Sequence, residues 1–99
     1  LYQRAERLGN YFLSQLEQFK KEHPSIQEVR GVGLMLGVEL NLKNPAQVIE
    51  KMREKGVLVN LTQERVVRFL PPLIVKQEEI DQVLEAFEQV LKELEMEER

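Results

Sequence analysis

The pair Pro71-Pro72, set directly behind the apolar run Val66-Val67-Arg68-Phe69-Leu70, constrains this chain more than any other feature. Val66 to Leu70 is β-branched and aromatic enough to predict a strand. The two prolines then remove the donors that further sheet pairing or a helix would need. Side chains alternate along a strand, so Val67 and Phe69 point to one face while Val66, Arg68 and Leu70 point to the other. Arg68 is thus a permanent cation fixed among apolar neighbours, just before a stiff corner. A planar guanidinium held this way suits two-point capture of a carboxylate or a phosphate. A half-buried arginine that reaches to water, or pairs with a nearby glutamate, leaves the same signature. The stretch alone keeps both readings open.

The chain has 99 residues, 42% apolar and 31% charged, which predicts a single domain, 1–99, with one modest core. No apolar run approaches the about 18 residues that cross a bilayer, and no secretory leader is visible, so no membrane partner is expected. Cysteine is absent, which rules out disulfides and thiolate metal sites. A cytoplasmic location is the expectation that fits. The net charge of −3 is uneven. Residues 76–99 carry nine acids and three bases, a net of −6, which leaves +3 on the first 75 residues. An acidic end on a weakly basic body gives no footprint for nucleic acid. The opening residue is Leu1, inside a helical pattern with no Ser, Thr, Asp or Asn to cap it, which predicts a piece of a longer protein.

Leu1, Tyr2, Ala5, Leu8, Tyr11, Phe12, Leu16 and Phe19 recur at steps of three and four, which predicts a first helix over 1–22. Leu13 lies off that stripe, and Gly9 suggests close packing. Lys20 and Lys21 suit the helix C-terminus, and His23-Pro24 ends it. His23, the one histidine, reads as a helix-end residue, because no partner for a catalytic base is recognisable near it. Ile26 to Leu42 reads as extended, with Leu34, Leu36, Val38 and Leu40 on one face and Met35 and Glu39 on the other. Gly31-Val32-Gly33 predicts a bulge or bend; a dinucleotide loop would need a third glycine and a following helix.

Asn44-Pro45 predicts a second helix with an Asn cap, Ala46, Val48, Ile49 and Met52 facing inward, and Gly56 closing it in a left-handed conformation. Val57 to Leu61 predicts a strand and Thr62 to Arg65 a polar turn into the Arg68 strand, together a hairpin. Asn60 and Thr62 sit at its open end, either assisting a ligand or filling turn and edge roles. Residues 77–95 predict the last helix, with a stripe of Ile80, Val83, Leu84, Phe87, Val90, Leu91 and Leu94. Val75 and Ile80 are spaced as a hydrophobic staple, Lys76 is a poor cap, and residues 95–99 are expected to fray. The order α-β-β-α-β-β-α predicts an α+β fold, an antiparallel sheet covered by helices.

Three segments together resemble one family, the class III pyridoxal-phosphate-dependent aminotransferases. Val29-Arg30-Gly31-Val32-Gly33-Leu34-Met35-Leu36-Gly37-Val38-Glu39-Leu40 is similar to the family's V-R-G-x-G-L-M-x-G-x-E-L stretch. Lys55-Gly56-Val57-Leu58-Val59-Asn60 resembles its K-G-x-L-x-N segment, and Val67-Arg68-Phe69-Leu70-Pro71-Pro72-Leu73 its R-F-x-P-P-L signature. Order and spacing agree over nearly the whole chain. Asn60-x-Thr62 and Phe69-Leu70 look most like the acetylornithine branch. Ornithine, succinylornithine and 4-aminobutyrate remain alternative substrates.

The resemblance implies the small C-terminal domain of a fold-type I enzyme that passes an amino group from N-acetylornithine to 2-oxoglutarate in arginine biosynthesis. It implies that Arg68 holds a substrate carboxylate, with Asn60 and Thr62 as possible secondary contacts. It implies pyridoxal 5'-phosphate held by a large domain of the same chain, and a homodimer. Lys20, Lys21, Lys43, Lys51, Lys55, Lys76 and Lys92 all lack the family context of the cofactor lysine. This fragment is therefore expected to bind no cofactor or metal, to hold no catalytic residue and to be inactive alone. Arg30 also matches the pattern, with a structural salt bridge as its expected role. The competing reading is a free-standing α+β amino-acid-binding or dimerisation module.

Overall fold

The apolar stripes and alternations resolve into three helices and four strands in a computed structural model that describes residues 2–32, 35–69 and 76–98. They are α1 (Tyr2–Glu22), β1 (Ile26–Val32), β2 (Met35–Leu40), α2 (Ala46–Glu54), β3 (Asn60–Thr62), β4 (Val66–Phe69) and α3 (Gln77–Glu97). The strands form one antiparallel sheet in the spatial order β1-β2-β4-β3. β4 is inserted between β2 and β3, so the crossover through α2 is a split β-α-β unit. The expected α+β class and element order are those observed.

One sheet face carries the core. Leu36, Val38 and Leu40 of β2 and Val67 and Phe69 of β4 are all buried there. Phe12 and Leu16 of α1, Val48 and Met52 of α2, and Phe87, Val90, Leu91 and Leu94 of α3 complete the same cluster. Its centre is aromatic: the Phe69 ring lies 5.3 Å from Phe12 and 5.1 Å from Phe87, both tilted off parallel. The edge-biased geometry adds specific attraction to the area buried.

Several local expectations are corrected. β1 runs through Gly31 and Val32, which pair with Leu36 and Met35, so there is no bulge there among the described residues. The register instead shifts between Ile26 and Glu28. That extra residue changes the parity of the strand, so Ile26 and Val29, three apart, both reach the core. Gly31 serves packing. A Cβ there would stand 2.8 Å from Leu36 Cδ2 and 3.1 Å from Leu13 Cδ1, which accounts for the off-stripe Leu13.

Helix α2 begins one residue later than the Asn44 cap predicts, with Pro45 in the cap position already helical at φ −61° and no side-chain cap bond. Asn44 contributes its carbonyl, which accepts Gln47 N–H at 3.1 Å. Ala46 is exposed rather than inward-facing. Gly56 closes the helix at φ +83° as expected.

β3 spans Asn60–Thr62 rather than 57–61, because the sheet edge reaches β4 only there. Leu58 is 83% exposed while Val57 and Val59 are half-buried. The tight turn that follows places Gln63 and Glu64 at φ 52° and 68°, without a glycine to mark it. The end of α3 is helical to Glu97 and tied down by side chains: Glu95 accepts from Ser25, and Glu98 accepts Lys43 N–H at 2.8 Å, while Arg99 lies outside the described residues. At the other end, Glu79 Oε1 accepts Lys76 N–H at 2.9 Å, half of a capping box that offsets the poor cap. Leu1, the proposed glycine bend at Gly33, Leu34, Leu70 at the end of the Arg68 strand, the Pro71-Pro72 corner and the Val75 staple lie outside the described residues.

Candidate functional site

The sheet face opposite the helices is set by strand parity and register. Arg30 of β1 and Arg68 of β4 are both opposite Gly37 of β2, and Asn60 of β3 is opposite Arg68. One row across the sheet therefore reads Arg30, Gly37, Arg68, Asn60. The neighbouring row reads Glu28, Glu39, Val66, Thr62. A cleft of about 240 Å³ opens over this face, lined among others by Arg30, Met35, Gly37, Thr62, Val66 and Arg68.

Gly37 keeps the floor of that cleft flat. A Cβ at position 37 would stand 3.3 Å from Val66 Cγ1 and would project between the two arginines. Arg68 is exposed, and among the described residues no acid lies within 4 Å of it. Its neighbours Val67 and Phe69 are anchored in the core, so the backbone beneath the guanidinium is fixed. The site is a held cation with open donors, suited to a carboxylate that offers two oxygens.

Of the sequence-predicted residues, Arg68 and Thr62 line the cleft and Asn60 does not. Asn60 stands beside Arg68 in the register. Thr62 lines the cleft and turns its hydroxyl to the Val66 carbonyl at 3.5 Å, an edge role in the first instance. Arg30 forms the expected salt bridge, donating to Glu39 Oε1 at 3.2 Å. The contribution of Gly37 was hidden, because nothing in the sequence says that β2 pairs with β4 instead of β3.

The cleft over Arg68 lacks a group that would anchor the cofactor expected from the family. No lysine lines the cleft over Arg68, so nothing there could form an imine with an aldehyde. Pyridoxal phosphate does not fit this set of side chains.

His23 follows directly on the end of α1, as expected, but it has the carboxylate partners that the sequence does not reveal. It is 4% exposed, and its two ring nitrogens meet Glu88 Oε2 at 3.0 Å and Glu95 Oε1 at 3.1 Å. The Ser25 hydroxyl donates to the other Glu95 oxygen, and Glu22 adds a further carboxylate nearby. These partners lie 65 and 72 residues away along the chain, beyond the reach of local inspection. With both nitrogens engaged, His23 ties the end of α1 to α3 and has none free to act as a base.

Burial would push the His23 pKa down, but hydrogen bonds to Glu88 and Glu95 and their charges outweigh it, and the net shift is up. Burial would raise Glu95, but hydrogen bonds from Ser25 and His23 and the imidazolium charge bring it below the usual value. The His23 contribution is therefore full below its ordinary 6.5 and lost as pH rises through the raised value. The Glu95 contribution is full above its ordinary 4.5 and lost as pH falls through the lowered one. A His23→Gln variant should lose about 2 kcal/mol near pH 5.5, roughly 10 °C in Tm, and much less at pH 9. Thermal unfolding across pH checks this, and parallel profiles for the two proteins would refute it.

Comparison with known proteins adds the following. Residues 1–91 match the family described as aminotransferase class III. The chain is 43% identical over 90 residues to an acetylornithine aminotransferase of Caldanaerobacter subterraneus, covering 91% of this chain and 23% of that protein. It is 48% identical over 86 residues to an acetylornithine aminotransferase of Methanocaldococcus jannaschii, covering 87% of this chain and 21% of that one. An ornithine aminotransferase structure from Toxoplasma gondii, described as partly occupied by pyridoxal phosphate, superposes with a TM-score of 0.85 at 36% identity. That match covers 95% of this chain and 23% of that one. The chain thus spans about a quarter of the length of the relatives it matches.

Proposed function

Because this chain belongs to the class III aminotransferase family, we propose that it is the carboxylate-gripping small domain of an acetylornithine-type aminotransferase. The enzyme passes an amino group from N-acetylornithine to 2-oxoglutarate, in arginine biosynthesis. Arg68 holds a carboxylate of the substrate, Asn60 stands beside it, and Thr62 shapes the wall of the cleft. The observation that carries this reading is Arg68 itself: a cation fixed by a buried strand, unpaired among the described residues, over a floor kept clear by Gly37.

Pyridoxal phosphate supplies the electron sink for amino transfer when bound, and its place is in a large domain beyond these residues. What this chain does is bind and orient. Two parallel hydrogen bonds from Arg68 would fix the direction of the substrate carboxylate, and so which carbon is presented to the reacting centre. The enzyme works as a homodimer in the cytoplasm on amino-acid and 2-oxo-acid substrates. On this reading the 99 residues alone, apart from the cofactor that would carry the amino nitrogen, are inactive.

The ornithine-type neighbour makes ornithine the second reading for the amino donor. The test is an amino-transfer assay of the complete protein with added pyridoxal phosphate, 2-oxoglutarate as acceptor, and N-acetylornithine or ornithine as donor. The expected result is faster transfer from N-acetylornithine. Preference for ornithine would move the assignment to the second reading, and binding of amino acids without transfer would point to a regulatory module.

A further inference from the structure

We propose that Arg30 is a positioning residue that keeps Arg68 available, by holding the Glu39 carboxylate that would otherwise pair with it. The inference rests on the reading of Arg68 as a carboxylate grip. Its basis is the register of the open sheet face. Glu39 is opposite Glu28 on one side and Val66 on the other, while Arg30 and Arg68 are both opposite Gly37, two residues along β2. Glu39 is therefore the diagonal neighbour of both arginines, one on each flanking strand. Diagonal neighbours are about 7–8 Å apart, within reach of long side chains.

The carboxylate takes only one of these partners. Arg30 Nη2 donates to Glu39 Oε1 at 3.2 Å, and no acid approaches Arg68 among the described residues. The other acid that the register places on this face, Glu28, is engaged by Lys20 of α1 at 3.5 Å. Both acids beside the grip are thus held by cations other than Arg68. Gly37 adds no side chain that could keep Glu39 and Arg68 apart, so the division depends on Arg30.

Stability does not account for this pair. Arg30 is 67% exposed, and an ion pair so open to solvent contributes little to folding. Its consequence lies in what the neighbouring cation can bind. Without Arg30, Glu39 would swing across β2 and neutralise Arg68, and an incoming carboxylate would have to displace it.

The test is calorimetric titration of the complete protein with 2-oxoglutarate. Arg30→Met should weaken binding about tenfold, the equivalent of one charge-assisted hydrogen bond. Glu39→Gln alone should stay within about twofold of the parent protein, and Arg30→Met with Glu39→Gln should return to that level. Arg30→Lys, which still offers a cation to Glu39, should bind nearly normally. A merely structural loss would not be rescued by removing the Glu39 charge, and equal unfolding temperatures across the set confirm intact folds. Unchanged binding in Arg30→Met, or a loss that Glu39→Gln leaves unrelieved, would overturn the proposal. Arg68→Met separates the two readings. If it binds as the parent does, the grip itself is wrong; if it alone loses binding, only the role of Arg30 fails.

Discussion

Replacing Phe69 with alanine should lower the unfolding free energy by about 4 kcal/mol, roughly 20 °C in Tm. The size follows from where the ring sits. Phe69 is 3% exposed and touches an aromatic ring on each of two helices, Phe12 of α1 and Phe87 of α3. Truncation removes the burial of the ring and both tilted aromatic contacts, which link those helices through the sheet. α1 and α3 are long and braced elsewhere, so they cannot collapse fully into the gap, and a cavity term adds to the lost burial. Leu58→Ala is the matched control: that side chain is 83% exposed, and its loss should stay within about 0.5 kcal/mol. Urea or thermal unfolding of the two variants checks the pair. A Phe69→Ala cost below about 1.5 kcal/mol would mean that the aromatic centre of the core is misplaced.

Arg68→Lys should cost about tenfold to a hundredfold in KM for the 2-oxo acid acceptor while leaving Tm nearly unchanged. Lysine keeps the charge, so a purely Coulombic site would hardly notice. The fork is what is lost. The β4 backbone at position 68 is locked between Gly37 and Asn60, so the guanidinium plane can present two donors side by side, and an ammonium cannot. The side chain is exposed and makes no internal ion pair among the described residues, which is why folding is spared. Asn60→Ala should have a smaller effect, about twofold to fivefold, as the removal of one uncharged neighbour. Steady-state kinetics of the complete protein with both variants provides the check. Equal KM values for arginine and lysine at position 68 would remove the two-point geometry from the account.

The part of this architecture that local chemistry could reveal was legible. The α1 and α3 stripes, the Gly56 cap and the alternation of β2 each rest on a period or a single backbone requirement within a few residues. The face that Arg68 shares was also readable from parity alone. What escaped depends on distant partners. The bulge between Ile26 and Glu28 exists because Ile26 pairs with Leu40 inside the core while Glu28 pairs with Glu39 on the open face. The Gln63-Glu64 turn adopts positive φ without the glycine or asparagine that would announce it. His23 looked like the end of a helix because the residues that define it, Glu88 and Glu95, are on the last helix of the chain. The pairing that puts Gly37 beside Arg68 is likewise a property of strand order, which only the folded sheet determines.

The most direct test of the account is amide NMR of the 99-residue chain during titration with 2-oxoglutarate. Carboxylate recognition built into β4 predicts weak binding, on the order of 10 mM. The shifts should concentrate at Gly37, Asn60 and Arg68 and disappear in Arg68→Ala. Shifts spread evenly over Arg4, Arg7, Arg53 and Arg65, or unchanged in the variant, would contradict a site organised around Arg68.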